Sequence, residues 1–329
     1  MKKALLLRLS ALGDVVIATS AIEMLHRQGF SVFILTRKPY DELFRCDERI
    51  SGTLTISRKP DLKEIRMTVR AIREQNFDLV IDIHRKPLTA LLLKASGGKL
   101  KLTYDKRIIK RRMAVWFHKK IDYVPVAELY QRPIRRALGL PPKEFHRPQL
   151  RPCRRTPGFD LPDDYIVLAP EAVHEPRIWP HYGALCRLFR SELKLPVVIV
   201  GTDRERADGV VGKCFSGNGS PEAINLAGQT DIQALMAVIA GAKAVVSNDS
   251  GPMHIADALD VPIVALFGPT IPEFGFRPLS PKSEVLELDL PCRPCSLHGE
   301  KPCKRGDLAC LRLIPPEDVV DAVRRLISE

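Results

Sequence analysis

Between Ser247 and Thr270 the chain reads SNDSGPMHIADALDVPIVALFGPT. Two apolar runs flank a polar turn, Asp249-Ser250-Gly251-Pro252, and a helix-sized segment from Met253 to Leu259 follows it. Pro252 suits the first turn of that helix, where its missing N–H costs nothing. A strand-to-helix turn offers unpaired backbone N–H groups and the positive end of a helix dipole, and Gly251 allows a ligand to approach closely. That chemistry suits a phosphate. Many such turns bind nothing, so the turn alone leaves both readings open.

A second turn of this kind lies in LRLSALGDVVIATSAIEMLHR (7–27), where Gly13 and Asp14 stand between an apolar run and a helical pattern. The spacing is not G-x-G-x-x-G, which disfavours a nicotinamide dehydrogenase. Asp14 has two readings. It is a helix-start carboxylate favoured by the dipole, or a base at the edge of a sheet where open α/β folds place their ligands.

Cys292, Cys295, Cys303 and Cys310 form C-x2-C-x7-C-x6-C, and four other cysteines are scattered. Four thiolates at this spacing could close a structural zinc site, but a second C-x2-C knuckle is missing, so disulfides and buried thiols stay open as alternatives. No D-x-D pair of the sort that holds a metal on a sugar nucleotide is present, and no catalytic ion is invoked.

The elements that position these residues alternate. KALLLRL (3–9), SVFILT (31–36), FDLVIDI (77–83) and KLKLTY (99–104) read as strands, with helical patterns between several of them. After the Pro/Arg-rich passage RPQLRPCRRTPGFDLPDD (147–164) the pattern restarts with YIVLAP, LPVVIVG, AINLAG, AKAVVS and VPIVALFG. This alternation predicts parallel, doubly wound α/β sheets. A chain of 329 residues exceeds one usual core and suits two domains, placed at 1–155 and 156–329.

Charge divides along the same line. Residues 1–155 carry 34 Lys and Arg against 15 Asp and Glu, a net +19, and residues 156–329 carry 17 against 24, a net −7. The basic half predicts an anionic partner, with KRIIKRR (106–112), Lys119 and Lys120 as its densest part. No apolar stretch reaches the roughly 18 to 20 residues that cross a bilayer, and the start, MKKALLLRLSALGD, lacks a leader's cleavage site, so a cytoplasmic protein is expected. A nucleic-acid-binding protein is disfavoured: aromatics make up only 6% of the chain and the cysteine cluster lies in the acidic half.

LRLSALGDVVIATSAIEML, the R-x-W-P element at Arg177 to Pro180, NLAGQTDIQALMAVIAGAKAVVSNDSGPMHIADAL and PIVALFGPT, in this order, resemble the heptosyltransferase family of glycosyltransferases. D-S-G-P-M-H is the most specific of these segments. The resemblance implies a GT-B fold of two Rossmann-like domains facing a cleft, the first binding acceptor and the second binding the nucleotide sugar. It implies transfer of heptose from ADP-heptose to the inner core of lipopolysaccharide by a single inverting displacement, with no cofactor required, on the inner face of the inner membrane. It places donor phosphates at Asp249, Ser250, Gly251, Pro252, Met253 and His254, with packing under the turn as the other reading of His254. Glu205 in GTDRER matches a position that holds the adenosine. Arg177, where the family more usually has lysine, would neutralise the departing ADP, and Trp179 would be structural. Gly13, His84, Arg85 and Lys86 would face the acceptor, and Asp14 would be the base that deprotonates its hydroxyl. Two rivals share the architecture, a non-catalytic nucleotide-binding module and a sugar-nucleotide epimerase.

Overall fold

The computed structural model describes residues 2–153, 158–214 and 223–328. It divides into two compact units, Met1–Lys106 with Val126–Cys153, and Arg107–Pro125 with Arg154–Glu329. The sequence boundary at 155 lies in the segment 154–157, outside the described residues. The stretch 107–125, which the sequence reading assigned to the first domain, belongs to the second unit. Counted over the two units, Lys and Arg stand at 26 against 14 Asp and Glu in the first, and at 25 against 25 in the second. The basic excess therefore survives in the first unit, and the second is neutral rather than acidic.

The first unit is built on β1 (Lys3–Leu7), β2 (Ser31–Thr36), β3 (Ile50–Thr55), β4 (Leu79–Asp82) and β5 (Leu100–Thr103), in the order β3-β2-β1-β4-β5. Every pairing is parallel. Central strands of such a sheet are covered on both faces and must be apolar throughout. Between their polar end residues, β1 and β4 meet that demand: Leu5, Leu6, Leu7, Val80 and Ile81 are fully buried. The helices of this unit are α1 (Leu12–Arg27), α2 (Leu62–Glu74) and α3 (Pro87–Ala95); α4 (Ile108–Phe117) belongs to the second unit, and α5 (Val126–Leu138) returns to the first. A disulfide joins Cys46 to Cys153 within it, with a Cα separation of 5.1 Å.

The second unit carries β6 (Ile166–Ala169), α6 (Tyr182–Leu188), β7 (Val197–Ile199), α7 (Arg204–Cys214), β8 (Ala223–Asn225), α8 (Ile232–Ala240), β9 (Ala244–Asn248), α9 (Gly251–Ala258), β10 (Ile263–Phe267), β11 (Ser283–Glu287), α10 (Ala309–Arg312) and α11 (Pro316–Ser328). Its six-stranded sheet runs β11-β10-β9-β6-β7-β8, again parallel. Both sheets have the doubly wound order, in which the chain starts at the centre, builds outward to one edge and then crosses to the other. Trp179 is buried in the core of this unit, 1% exposed, and its indole N–H donates to the Ile314 carbonyl at 3.0 Å, a structural role as expected. Among the described residues no helix is long and apolar enough to cross a membrane.

Candidate functional site

An open doubly wound sheet has one place where two neighbouring strands send their following loops to opposite faces, and ligands settle in the crevice left at the carboxyl ends there. In the first unit this switch point lies between β1 and β4. The β1 loop leads to Gly13 and Asp14 in the first turn of α1, and the β4 loop carries His84, Arg85 and Lys86. The fold thus brings the expected residues of the first domain to one sheet edge.

Asp14 forms an ion pair with Arg8, whose side chain is 7% exposed against 25% for Asp14, and the Tyr130 hydroxyl donates to Asp14 Oδ1 at 3.1 Å. Arg8 also donates to the Ile83 carbonyl at 2.6 Å and lies 5.6 Å from the centre of the Tyr130 ring. Burial works against the Arg8 charge, but Asp14, Tyr130 and Tyr104 together outweigh it and raise the guanidinium pKa. Burial raises the Tyr130 phenol far above its ordinary range. Asp14 is therefore a partly exposed carboxylate held from behind by a buried cation and a neutral hydroxyl. Neither Arg8 nor Tyr130 was singled out from sequence. The signal available for Arg8 was a lone charge in the strand KALLLRL, since a buried charge must be paired.

Asp82 at the end of β4 shapes the second loop: its Oδ1 accepts from the amides of His84 at 2.9 Å and Arg85 at 2.8 Å. Arg85 takes a left-handed conformation, φ 51°, which turns the chain into α3. Burial, followed by the charges of Arg8 and Lys106, pushes the His84 imidazole down to about 3, so it is neutral at physiological pH. Lys106 donates to the Arg85 carbonyl at 3.0 Å, and burial together with Lys86 and Arg8 pushes it down to about 8. Arg85 and Lys86 line a groove of 630 Å³ whose walls include Lys94 and Lys101, with Asp82 as its one carboxylate. This concentration of cations suits an anion. Lys101 and Lys106 were missed because the pairing of β5 with β4 brings them to this loop, and Lys94 because it lies at the far end of α3.

In the second unit the switch point lies between β6 and β9. The turn Asp249-Ser250 closes β9, and Gly251 and Pro252 open α9 as expected. Arg177, on the loop after β6, reaches across the switch point: its guanidinium meets Asp249 Oδ2 at 2.6 Å and also donates to the Asp249 carbonyl. Thr270, just past β10, donates to Asp249 Oδ2 at 3.0 Å. Asn248 accepts from the Trp179 amide at 3.0 Å, which ties the R-x-W-P element to the end of β9. Arg177 is thus paired with Asp249, a contact the sequence did not reveal. The pair fixes the shape of the turn.

The remaining residues that the resemblance assigns to the donor divide by burial. Met253 is fully buried and can offer a ligand only its backbone. His254 is 6% exposed, with its ring edge-on to Phe276 at 6.3 Å, which matches the packing reading. Ser250 shares a hydrogen bond with Ser247 at 3.2 Å. Glu205 is exposed in the first turn of α7. The loop before it is held by Glu171, which accepts from the amides of Thr202 at 2.8 Å and Asp203 at 2.5 Å. A Cβ on Gly201 would overlap that carboxylate, which would then have to shift away from the loop. Glu171, Asn248 and Thr270 were missed from sequence; each acts through a contact between separate strand ends.

Cys292, Cys295, Cys303 and Cys310 are free thiols. Burial, together with the nearby Cys292, Cys310 and Cys303, pushes Cys295 up to about 11, and burial raises Cys310. Among the described residues no three His, Cys, Asp or Glu side chains are grouped to hold a metal ion. The zinc reading of this segment gains no support.

The model of glycosyltransferase family 9 (heptosyltransferase) matches residues 65–304. Lipopolysaccharide heptosyltransferase 2 of Salmonella typhimurium is 35% identical over 159 residues, and lipooligosaccharide heptosyltransferase 2 of Haemophilus ducreyi is 52% identical over 154 residues. Each match spans 46% of this chain and 43% of the relative, less than half of either. The solved ADP-heptose lipopolysaccharide heptosyltransferase II of E. coli superposes with a TM-score of 0.78 at 24% identity, covering 100% of this chain and 99% of that one. That likeness fixes the fold as GT-B. Since the family match runs from α2 through the switch-point turn of the second sheet to the cysteine segment, the chain belongs to glycosyltransferase family 9, the heptosyltransferases.

Proposed function

We propose that the chain is an inverting glycosyltransferase that moves heptose from ADP-heptose to the inner core of lipopolysaccharide, with Kdo-lipid A or heptosyl-Kdo-lipid A as acceptor. The observation that carries this reading is the turn at the β6/β9 switch point, locked by Arg177 and Thr270 on Asp249, in a member of family 9. In this reading the donor belongs to the second unit. First-turn amides of α9, such as those of Gly251 and Met253, have no carbonyl within their own helix and hold the diphosphate. Ser250, Pro252 and His254 shape that cradle, and Glu205 takes the adenosine.

The acceptor belongs to the first unit. Arg85 and Lys86, with Lys106 beside them, hold its phosphates and carboxylates, Gly13 admits the sugar, and His84 packs as a neutral ring. Asp14 takes the proton of the attacking hydroxyl. The new C–O bond forms at the anomeric carbon as the bond to ADP breaks, and ADP leaves with the electron pair. Its growing negative charge is met by the α9 dipole and by Arg177. No covalent enzyme intermediate and no metal ion enters this scheme. The acceptor is a phosphorylated lipid, so the enzyme works as a peripheral protein on the cytoplasmic face of the inner membrane.

The test offers purified protein a panel of nucleotide sugars with core-truncated lipopolysaccharides and reads products by mass. One heptose added only when ADP-heptose and a core acceptor are both present supports the reading. Donor altered without acceptor would make the protein an epimerase, and no product with any pair would make it a binding module.

A further inference from the structure

One feature of the second unit plays no part in the chemistry above. Helix α4, with the sequence IIKRRMAVWF, is held on one side only: Ala114 and Val115 pack against Ile271, Phe274 and Phe276. Arg111 strengthens this seat, donating to the Phe274 carbonyl at 2.7 Å and lying 5.3 Å from the centre of the Phe276 ring. The opposite side carries large apolar groups in water. Ile109 is 72% exposed, Met113 47%, Trp116 74% and Phe117 62%. Their spacing, i, i+4, i+7 and i+8, places all four on one stripe about 100° wide. Lys110 and Arg112 fall at the two borders of that stripe by the same geometry, and Lys119 and Lys120 follow the helix.

We infer that this stripe is a membrane-insertion face, and that its occupant is the acyl and headgroup boundary of an anionic bilayer. Contiguous exposed apolar surface on a soluble protein marks an interaction site. The choice of partner comes from the borders. Cations on both flanks of an apolar stripe match a surface that is apolar within and anionic at its edge, and long basic side chains can reach outward while their stems stay apolar. Trp116 is of the type that favours the headgroup level. From Arg107 to Ile121 the segment contains no Asp or Glu to repel lipid phosphates. The seat on Phe274 and Phe276 presents the stripe on a folded support, so little ordering cost is left for binding. The choice of a lipid partner rests in part on the lipid acceptor proposed above; the stripe itself does not.

The experiment uses the whole protein with vesicles of phosphatidylethanolamine and phosphatidylglycerol, and with vesicles of phosphatidylcholine alone. The chain has two tryptophans, and Trp179 is buried, so a change in emission reports on Trp116. The expected result is a blue shift with anionic vesicles, quenching by lipids brominated near the headgroup, and loss of the shift in Trp116→Phe with binding kept. Trp116→Ser combined with Phe117→Ser should weaken vesicle binding by about tenfold or more, since the two most exposed aromatic side chains of the stripe are then lost. These positions are on the surface, and an unchanged thermal midpoint confirms that the variant folds.

Unmoved emission, absent quenching or wild-type vesicle binding by the double variant overturns the inference. So does a wild-type dimer that the double variant abolishes without any vesicle binding, because the occupant is then a second copy. Transfer assays separate the two proposals. Vesicle insertion without heptose transfer to any acceptor sinks the proposed reaction and leaves the insertion face standing, whereas transfer with no insertion does the reverse.

Discussion

Replacing Asp14 by asparagine separates its chemical role from its structural one, because the ion pair with Arg8 gives both a measurable size. The side chain of Arg8 is 7% exposed, so its buried charge is stabilised chiefly by the carboxylate rather than by water. Two charges about 4 Å apart at an effective dielectric of 20 attract by about 4 kcal/mol. Asp14 is 25% exposed, and solvent reduces that attraction to about 2 kcal/mol. The asparagine can still accept from Tyr130 or Arg8, and Arg8 keeps its bond to the Ile83 carbonyl. The expected loss of stability is thus about 1 to 2 kcal/mol, or a fall of about 3 to 8 °C in thermal midpoint. Turnover should fall much further, by about 10² to 10⁴, if the carboxylate removes the acceptor proton. The assay is kcat for transfer at a temperature where the variant is fully folded, with the midpoint measured by circular dichroism. Tyr130→Phe is the control: it removes a hydrogen bond worth about 1 kcal/mol and leaves the base. A folded Asp14→Asn protein with wild-type turnover would refute the assignment and leave Asp14 as a partner of Arg8 alone.

Arg177→Ala should weaken ADP binding by about tenfold or more, since it removes a cation and releases Asp249; Arg177→Lys should recover part of this, and calorimetry showing unchanged affinity in both would remove Arg177 from the donor site. Lys106 loses its proton near pH 8, so KM for an anionic acceptor should rise between pH 7 and 9. Lys106→Arg, which keeps its charge, should flatten that rise, and a rise of the same size in both proteins would count against it. His84 has its folded pKa near 3, below the ordinary 6.5, so the unfolded chain binds the extra proton and stability should decline as pH falls from 6.5 toward 3. His84→Gln should lessen this slope in chemical denaturation, and an unaltered slope would assign it to other groups. The Cys46–Cys153 disulfide spans 107 residues of sequence, and Cys153→Ser should cost about 2 to 4 kcal/mol under oxidising conditions. The same midpoint with and without reductant would show that the crosslink contributes nothing to stability.

The sequence by itself determined the parts that depend on local pattern. Central strands of a parallel sheet are buried on both faces, so runs such as SVFILT and AKAVVS declare themselves, and Pro252 after Gly251 marks the start of α9 wherever the chain folds. These signals were enough to locate the two switch-point turns and hence Asp14 and Asp249. They missed β3 and β11, whose sequences ISGTLT and SEVLE lie at sheet edges, where one side is open and polar residues are tolerated. Tertiary structure alone decided who touches whom. Arg8 meets Asp14 and Tyr130 because α1 and α5 pack together beside β1, and Arg177 meets Asp249 because β6 and β9, far apart in sequence, are neighbours in the sheet. The same holds for α4. In sequence it lies among the cations of the first half, yet packing against Phe274 and Phe276 assigns it to the second unit and turns its apolar stripe to solvent. Periodicity shows that a helix has two faces, but which face is covered depends on a neighbour supplied by a distant part of the chain.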